Sequence, residues 1–515
     1  MKKLLKYIMI ILILFPLSCS EDYLNKFPLD RLSAGTFDPD LSLTGIYASL
    51  QNVYVSQYAH AIDGLTPIVY CRNSGWRSIA TGAANEFTSR FYSSWQQFYS
   101  GIFRANDFLE RLSALEDIDA TKKTVFEAEA RFLRASYYHR VVTVFGGVPL
   151  VLGTLEIDES REQVRASKDA VIAQIMADLD FAESNLAVAP RKVGAATKGA
   201  AIALKARTHL YEGNWQGTKD AASSVMGLGY DLYKGAANDS LNYSMIFDFK
   251  NENNIEVIFD VQFDAPNVNE GNTFETWLMN KNSAIDFGYV QSHPTKYLVE
   301  QYEHRDGTMP IDPYDFSNRD YRFYYTVLFE GSSFNDKVYN SSFPGWALSK
   351  TRFVQRKYTV EHSEGIITQR FDAPNNFILI RYADILLMYA EAQNELSGPD
   401  ASVSEAVNQV RNRAGLPDLP AGLSKDEMRE AIHHERLVEL ALEGLYYFDM
   451  LRWGKAGTLT GGVGADVYMA NNPPTRYPDD KKVDTWLFDP AKNYLWPIPQ
   501  TEIDNVLTLE QNPGW

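Results

Sequence analysis

Successive stretches of this chain repeat small and apolar residues at helical spacing, and a chain patterned that way buries its core mainly between helices. Residues 127–145 place Ala128, Phe132, Ala135, His139 and Val142 at helical intervals, with Arg131, Arg134 and Arg140 on other faces, before Gly146 and Gly147. That spacing predicts an amphipathic helix closed by a glycine. Residues 168–186 repeat the pattern through Ile172, Ile175, Met176, Leu179, Ala182 and Leu186. In residues 198–212, Ala200, Ala201, Ala203 and Ala206 leave little side-chain bulk, so a neighbouring helix can come close. Gly213, Asn214 and Trp215 then turn the chain into another helical stretch at 218–226. Helix, tight turn and helix with small contact residues is the unit of tetratricopeptide-like repeats.

The middle of the chain has a different texture. From Ile255 to Phe263, apolar and polar residues alternate with the period of a half-buried strand, and Phe323, Tyr325, Val327 and Phe329 predict a second strand. Around them, residues 264–370 are rich in Asn, Gly, Pro, Asp and aromatics with little helical period. Such loop-rich insertions are where binding residues tend to sit. Helical period returns over residues 377–396, 402–414 and 424–443, and Ser424 with Glu427 predicts a capping box at the start of the last. Beyond Trp453 come a glycine-rich loop at Gly461, Gly462 and Gly464 and the terminal Asn512-Pro513-Gly514-Trp515. The expected organisation is a helical-repeat part at 19–240, a loop- and strand-rich insertion at 241–376 and a helical part at 377–515.

The first eighteen residues are set apart. Lys2, Lys3 and Lys6 precede an apolar run too short to span a bilayer, and Pro16, Leu17 and Ser18 lead into Cys19. This predicts a lipoprotein signal peptide at 1–18 and a lipid anchor on Cys19, although Pro16 stands where such signals usually carry Leu. An ordinary secretory signal cut near an unrelated cysteine is the other reading. Removing the three lysines takes the formal charge from −17 to −20. An acidic field of that size disfavours nucleic acid and anionic membrane surfaces as partners, so membrane attachment would come through acyl chains. Only Cys71 remains after Cys19 is assigned. A buried, inert thiol is expected there, and no intramolecular disulfide.

Recognised enzyme signatures are missing: the sequence carries no zinc-protease helix motif, phosphate-binding loop with its lysine or nucleophile elbow. No cofactor, metal site or catalytic residue is expected. His433, His434 and Glu435 are adjacent on a helix and point too far apart to share one ion. Arg436, Glu439, Glu443 and Arg452 are expected to form an ion-pair network between helices. Aromatic residues make up 13% of the chain, enough to ask where they are used, and many must be core. A sugar ring offers an apolar C–H face and a hydroxyl rim, which suits a flat aromatic beside Asn or Arg. The candidate ligand-binding residues are therefore Tyr70, Arg72, Asn73, Trp76 and Arg77 in the segment YCRNSGWR, read as a loop, together with Trp277 in the insertion. The competing use of the same aromatics is to cover loops against the core.

Several long segments in order then carry a resemblance. They are DYLNKFPLDRLSAGTF at 22–37, FRANDFLERL at 103–112, EAEARFLRASYYHRVVTVFGGVPLV at 127–151 and TKGAAIALKARTHLYEGNW at 197–215. The C-terminal half adds FILIRYADILLMYAEAQNEL, VNQVRNRAGLP, HERLVELALEGLYYFDMLRWGK, YLWPIPQTEID and the closing QNPGW. Nearly end to end, the chain resembles the SusD/RagB family of outer-membrane nutrient-binding lipoproteins. The resemblance implies a mainly α fold: a superhelix of four tetratricopeptide-like helix pairs with loop-rich insertions and a few short β-strands. It also implies a non-catalytic, lipid-anchored protein on the outer face of the outer membrane. Such a protein captures oligo- or polysaccharide and delivers it to a SusC-like TonB-dependent transporter. Acidic residues after Cys19, Glu21 and Asp22, resemble the export tag of such lipoproteins. A peptide-binding RagB-like uptake lipoprotein is one alternative, and a secreted helical glycosidase whose carboxylates the sequence does not place is another.

Overall fold

The computed structural model describes residues 37–265, 270–279, 288–343, 346–361, 370–460, 465–469 and 481–515. The signal segment, Cys19 and the glycine-rich loop at 461–464 lie outside the described residues. After a first helix α1 (Pro39–Ser49), strand β1 (Val69–Cys71) and a short helix α2 (Ser74–Ala80), two 26-residue helices follow, α3 (Ser89–Ala114) and α4 (Ala120–Phe145). They are succeeded by α5 (Lys168–Asn185), α6 (Lys198–Tyr211) and α7 (Trp215–Met226). Each starts where a side chain accepts a free N–H of the first turn: Asp119 from Lys122, Ser167 from Ala170, Thr197 from Ala200 and Asn214 from Gly217.

The chain then leaves the helices for β2 (Val257–Val261), helix α8 (Phe274–Leu278), β3 (Ser292–Pro294), helix α9 (Tyr321–Thr326), β4 (Val327–Leu328) and β5 (Val354–Gln355). It returns through β6 (Phe377–Arg381) to α10 (Tyr382–Ser397), α11 (Ala401–Arg413), α12 (Lys425–Leu440) and α13 (Tyr446–Arg452). Consecutive helices from α3 to α7 pack on one another, α7 packs on α10 across the excursion, and α10 packs on both α11 and α12. These eight helices, α3 to α7 and α10 to α12, form a stack of four pairs. Its close contacts need small residues: a Cβ on Gly101 of α3 would lie 2.3 Å from the Tyr137 ring of α4.

Two expectations are corrected. Residues 377–381 form a strand, not the first turn of a helix. Phe377, Ile378 and Ile380 are buried against β2 in antiparallel register, from Val257 opposite Arg381 to Val261 opposite Phe377. Helical period begins only at Tyr382, because a short apolar run fits either period and here the neighbouring strand decides. Residues 321–326 are helical and not part of a strand. The Asp320 carboxylate accepts from the Arg322 N–H, and Phe323 turns inward against Phe316 and Phe329. The expected strand survives only as Val327–Leu328, paired with β5.

The expected ion-pair network is present in two buried halves. In the first, Glu439 of α12 meets Arg381 at the end of β6, Arg413 at the end of α11 and Arg322 of α9, and all four side chains are at most 1% exposed. Arg381 also reaches Glu256 at 2.8 Å and Glu443 at 2.7 Å, and Lys357 closes on Glu443. In the second, Arg436 joins Asp384 and Asp449, and Arg452 joins Glu391 and Asp449. Burial alone would raise the Glu439 carboxyl, but the guanidiniums of Arg413, Arg381 and Arg322 hold it well below the usual carboxylate range. The capping box of Ser424 and Glu427 forms as the sequence predicts.

Removing one member strands the others, so Glu439→Gln is expected to lower unfolding free energy by about 3–5 kcal/mol in urea denaturation. Asp63 gives a pH signature. Its carboxylate is wholly buried, accepts from the Gly444 N–H at 3.0 Å, and is pushed up to about 7 by burial. A raised carboxyl holds its proton more tightly when folded, so stability falls as pH climbs from the unfolded value near 4 through 7. The melting temperature of Asp63→Asn relative to wild type is therefore expected to rise between pH 4 and pH 8.

Candidate functional site

The segment YCRNSGWR is a strand and a helix, not a loop. Tyr70 lies in β1 opposite His293 of β3, stacked on that ring at 5.3 Å and only 7% exposed. Burial keeps His293 neutral, with its pKa lowered to about 3, and pushes the Cys71 thiol up to about 12. Cys71 is therefore an inert core residue. Asn73 caps α2, its side-chain oxygen accepting from the N–H groups of Gly75 and Trp76, and Arg90 donates to the same oxygen at 3.0 Å. Trp76 is 1% exposed and stands among Tyr58 and Trp496, beside a cavity of about 130 Å³. A ligand at the surface has no face of this indole to stack on. Arg77 is half-exposed, ion-paired with Asp484 and 5.3 Å above the Tyr70 ring.

Arg72 takes the other direction. Its main chain continues the β1–β3 ladder, with the N–H donating to Gln291 O at 2.8 Å. Its exposed guanidinium donates to the carbonyl of Tyr289 at 2.8 Å. Tyr289 leads to Trp277: the rings are 5.5 Å apart, the Tyr289 N–H donates to Thr276 O and the Gln291 N–H to Trp277 O. On the far side of Trp277 lies Phe371, 6.0 Å away and 43% exposed. Its backbone sits in the left-handed region at φ 59°, and its N–H is fixed by the Thr276 hydroxyl at 2.9 Å. A non-glycine residue there costs roughly 1–2 kcal/mol, so the surrounding contacts hold the ring outward against that cost. Arg370 completes the group, its guanidinium 6.0 Å above Tyr289.

The structure thus brings together Arg72 and Trp277 and adds Tyr289, Arg370 and Phe371, while it spends Tyr70, Asn73 and Trp76 on the fold. The added residues carry the same signal that singled out Trp277, an aromatic or arginine in a polar, aperiodic stretch. What hid them is that 289 and 371 are separated from 277 in sequence and are brought to it by backbone hydrogen bonds at Thr276 and Trp277. The patch offers the exposed Phe371 ring and the half-buried Trp277 and Tyr289 rings beside two exposed guanidiniums. That combination can stack on the C–H face of a sugar and donate to its hydroxyls.

His433 lies 3.7 Å from the Trp453 ring, and the Trp453 indole N–H donates to Glu391 at 2.9 Å. His434 Nε2 donates to Gln301 O, 2.8 Å away, so the two histidines serve different neighbours. Among the described residues no group of three His, Cys, Asp or Glu side chains is placed to hold a metal ion.

Residues 255–515 match the family described as "SusD family", and residues 23–210 match one described as "Starch-binding associating with outer membrane". SusD-like protein P25 of Formosa agariphila is 25% identical over 494 residues, covering 88% of this chain and 90% of that protein. Among solved structures, a SusD-like protein of Bacteroides fragilis superposes with a TM-score of 0.82 at 25% identity, covering 95% of this chain and 100% of the other. A second Bacteroides fragilis structure, a SusD-like carbohydrate binding protein, gives 0.80 at 25% identity over 93% and 99% of the two chains.

The two tryptophans are expected to behave differently on truncation. Trp76→Ala should cost about 3–5 kcal/mol in urea denaturation, as core truncations of that size do. The half-buried Trp277→Ala should leave the denaturation midpoint much closer to wild type.

Proposed function

The chain belongs to the SusD family, and from that premise we propose that it is a non-catalytic surface protein that captures carbohydrate on the Trp277 patch and passes it to a SusC-like TonB-dependent transporter. The observation that carries this reading is the patch itself: Trp277, Tyr289 and Phe371 presented at the surface with Arg72 and Arg370 among them. Its framing is made of main-chain hydrogen bonds, so little ordering is left for the ligand to impose. The family descriptions and the carbohydrate-binding relative favour a glycan as that ligand over a peptide. In this reading Cys19 carries the lipid that holds the protein at the outer membrane, facing the cell exterior, with the helical stack toward the transporter. Binding of about 4–8 kcal/mol, millimolar to micromolar, suffices for a protein that must release its cargo into a channel.

Affinity electrophoresis in gels containing a panel of polysaccharides tests the reading. One glycan is expected to retard the wild-type protein, without being shortened, and Trp277→Ala or Phe371→Ala should abolish at least most of that retardation while Trp515→Ala does not. Retardation untouched by both patch variants would discard the site, and shortening of the glycan would replace binding by catalysis. Retardation by no glycan, with saturable binding of a peptide mixture, would move the function to peptide capture. Cys19→Ala should leave retardation intact and release the protein from membrane fractions.

A further inference from the structure

A second cleft, of about 360 Å³, opens on the insertion side between the segment at 241–250 and the chain at 356–361. It shares no lining residue with the Trp277 patch, but it is tied to it: the Val360 N–H donates at 3.0 Å to the carboxylate of Glu275, on the same helix α8 that carries Trp277. The volume falls in the range of roughly 300–1,000 Å³ usual for small-molecule sites. Its walls combine Phe249 and Tyr325, both half-buried, with Arg356, Asp248 and Thr359.

The polar wall is preset. The Arg356 guanidinium lies 5.1 Å from the Tyr325 ring, donates to Tyr324 O at 2.9 Å and is ion-paired with Glu361. At the floor, Tyr358 is 2% exposed and holds a left-handed backbone at φ 64°, a conformation that the surrounding contacts must fix. Charge is balanced around the opening, Arg356 and Lys250 against Glu361 and Asp248, and the Lys357 ammonium is turned away onto Glu443. A site of aromatic walls, fixed donors and no net charge suits an uncharged sugar ring better than an anion or a cation.

We propose that this cleft is a second saccharide site, taking one or two neutral sugar units independently of the Trp277 patch; the choice of ligand class rests on the carbohydrate reading above. Met245 lines the cleft and gives it a reporter. The full chain labelled at methionine methyls, with the Met245 resonance assigned from Met245→Leu, is titrated with glucose, galactose, mannose, xylose and their common disaccharides. The Met245 methyl is expected to move saturably with at least one of them, equally in wild type and Trp277→Ala. In Tyr325→Ala the apparent affinity should fall at least tenfold, and in Thr359→Trp, which fills the cleft without removing an aromatic wall, the shift should be lost. No movement with any sugar, movement that survives both cleft variants, or movement abolished by Trp277→Ala would each overturn the proposal. The part of the gel retardation that Trp277→Ala abolishes reads the Trp277 patch. Retardation with a silent Met245 overturns this cleft only, whereas a responding Met245 without retardation upholds the cleft and overturns the patch.

Discussion

Arg381 is the point on which the architecture turns. The chain leaves the helical stack after α7, runs through some 150 residues that include β2 to β5 with α8 and α9, and re-enters at β6, whose last residue is Arg381. There one guanidinium bonds to Glu256 at the outgoing strand, to Glu439 on α12 and to Glu443 beyond it. The exit, the return and the C-terminal helices are thereby fixed to one another in the interior, where apolar contacts alone would accept many offsets. A buried ion network of this kind adds little net stability over well-packed hydrophobes. What it supplies is a single arrangement, because each carboxylate left without its guanidinium would be a bare charge in a region with almost no solvent.

The same closure positions the surface patch. With β2 and β6 locked together, α8 is pinned through Asn272, which exchanges main-chain hydrogen bonds with Ala373 and whose side chain reaches Asn375. Residue 371 therefore arrives beside Thr276, and Phe371 beside Trp277. The β1–β3 pairing does the corresponding work from the N-terminal side, delivering Arg72 to the Tyr289 carbonyl. Three segments from distant parts of the sequence meet with their backbones already hydrogen-bonded, so the rings stand ready without help from a ligand.

Helical period, cap chemistry and charge were legible because each is local. Ser424 and Glu427 are three residues apart, and the alanines of 198–212 announce a close helix contact wherever the neighbour comes from. Residues 377–381 were not legible, since FILIR fits a strand or a buried helical turn and only the partner at 257–261 decides. Trp76 shows the same limit in the other direction. Polar neighbours in sequence, Arg72, Asn73 and Arg77, made it look exposed, yet Arg72 continues the β1–β3 ladder, Asn73 caps α2 and Arg77 pairs with Asp484, while the indole points into the core. Composition around an aromatic reports exposure only where the backbone is known to be irregular. That condition holds for Phe371 and fails for Trp76; Trp277, on the five-residue helix α8, is only half-buried because that helix is short and lies at the edge of the insertion.

A strongly acidic chain that gathers Arg72 and Arg370 around three aromatic rings sets a local field against the global one. The long-range field decides what approaches, and at physiological salt it is screened within about 8 Å. Within that distance Arg72 and Arg370 place two positive charges beside the rings, at the surface and not in the deep, fully desolvated charge pairing that makes complexes long-lived. One exposed and two half-buried rings add stacking area. Under the proposed function, such a surface would orient a polymer and release it, with affinity raised by several contacts along one chain and not by any single tight one.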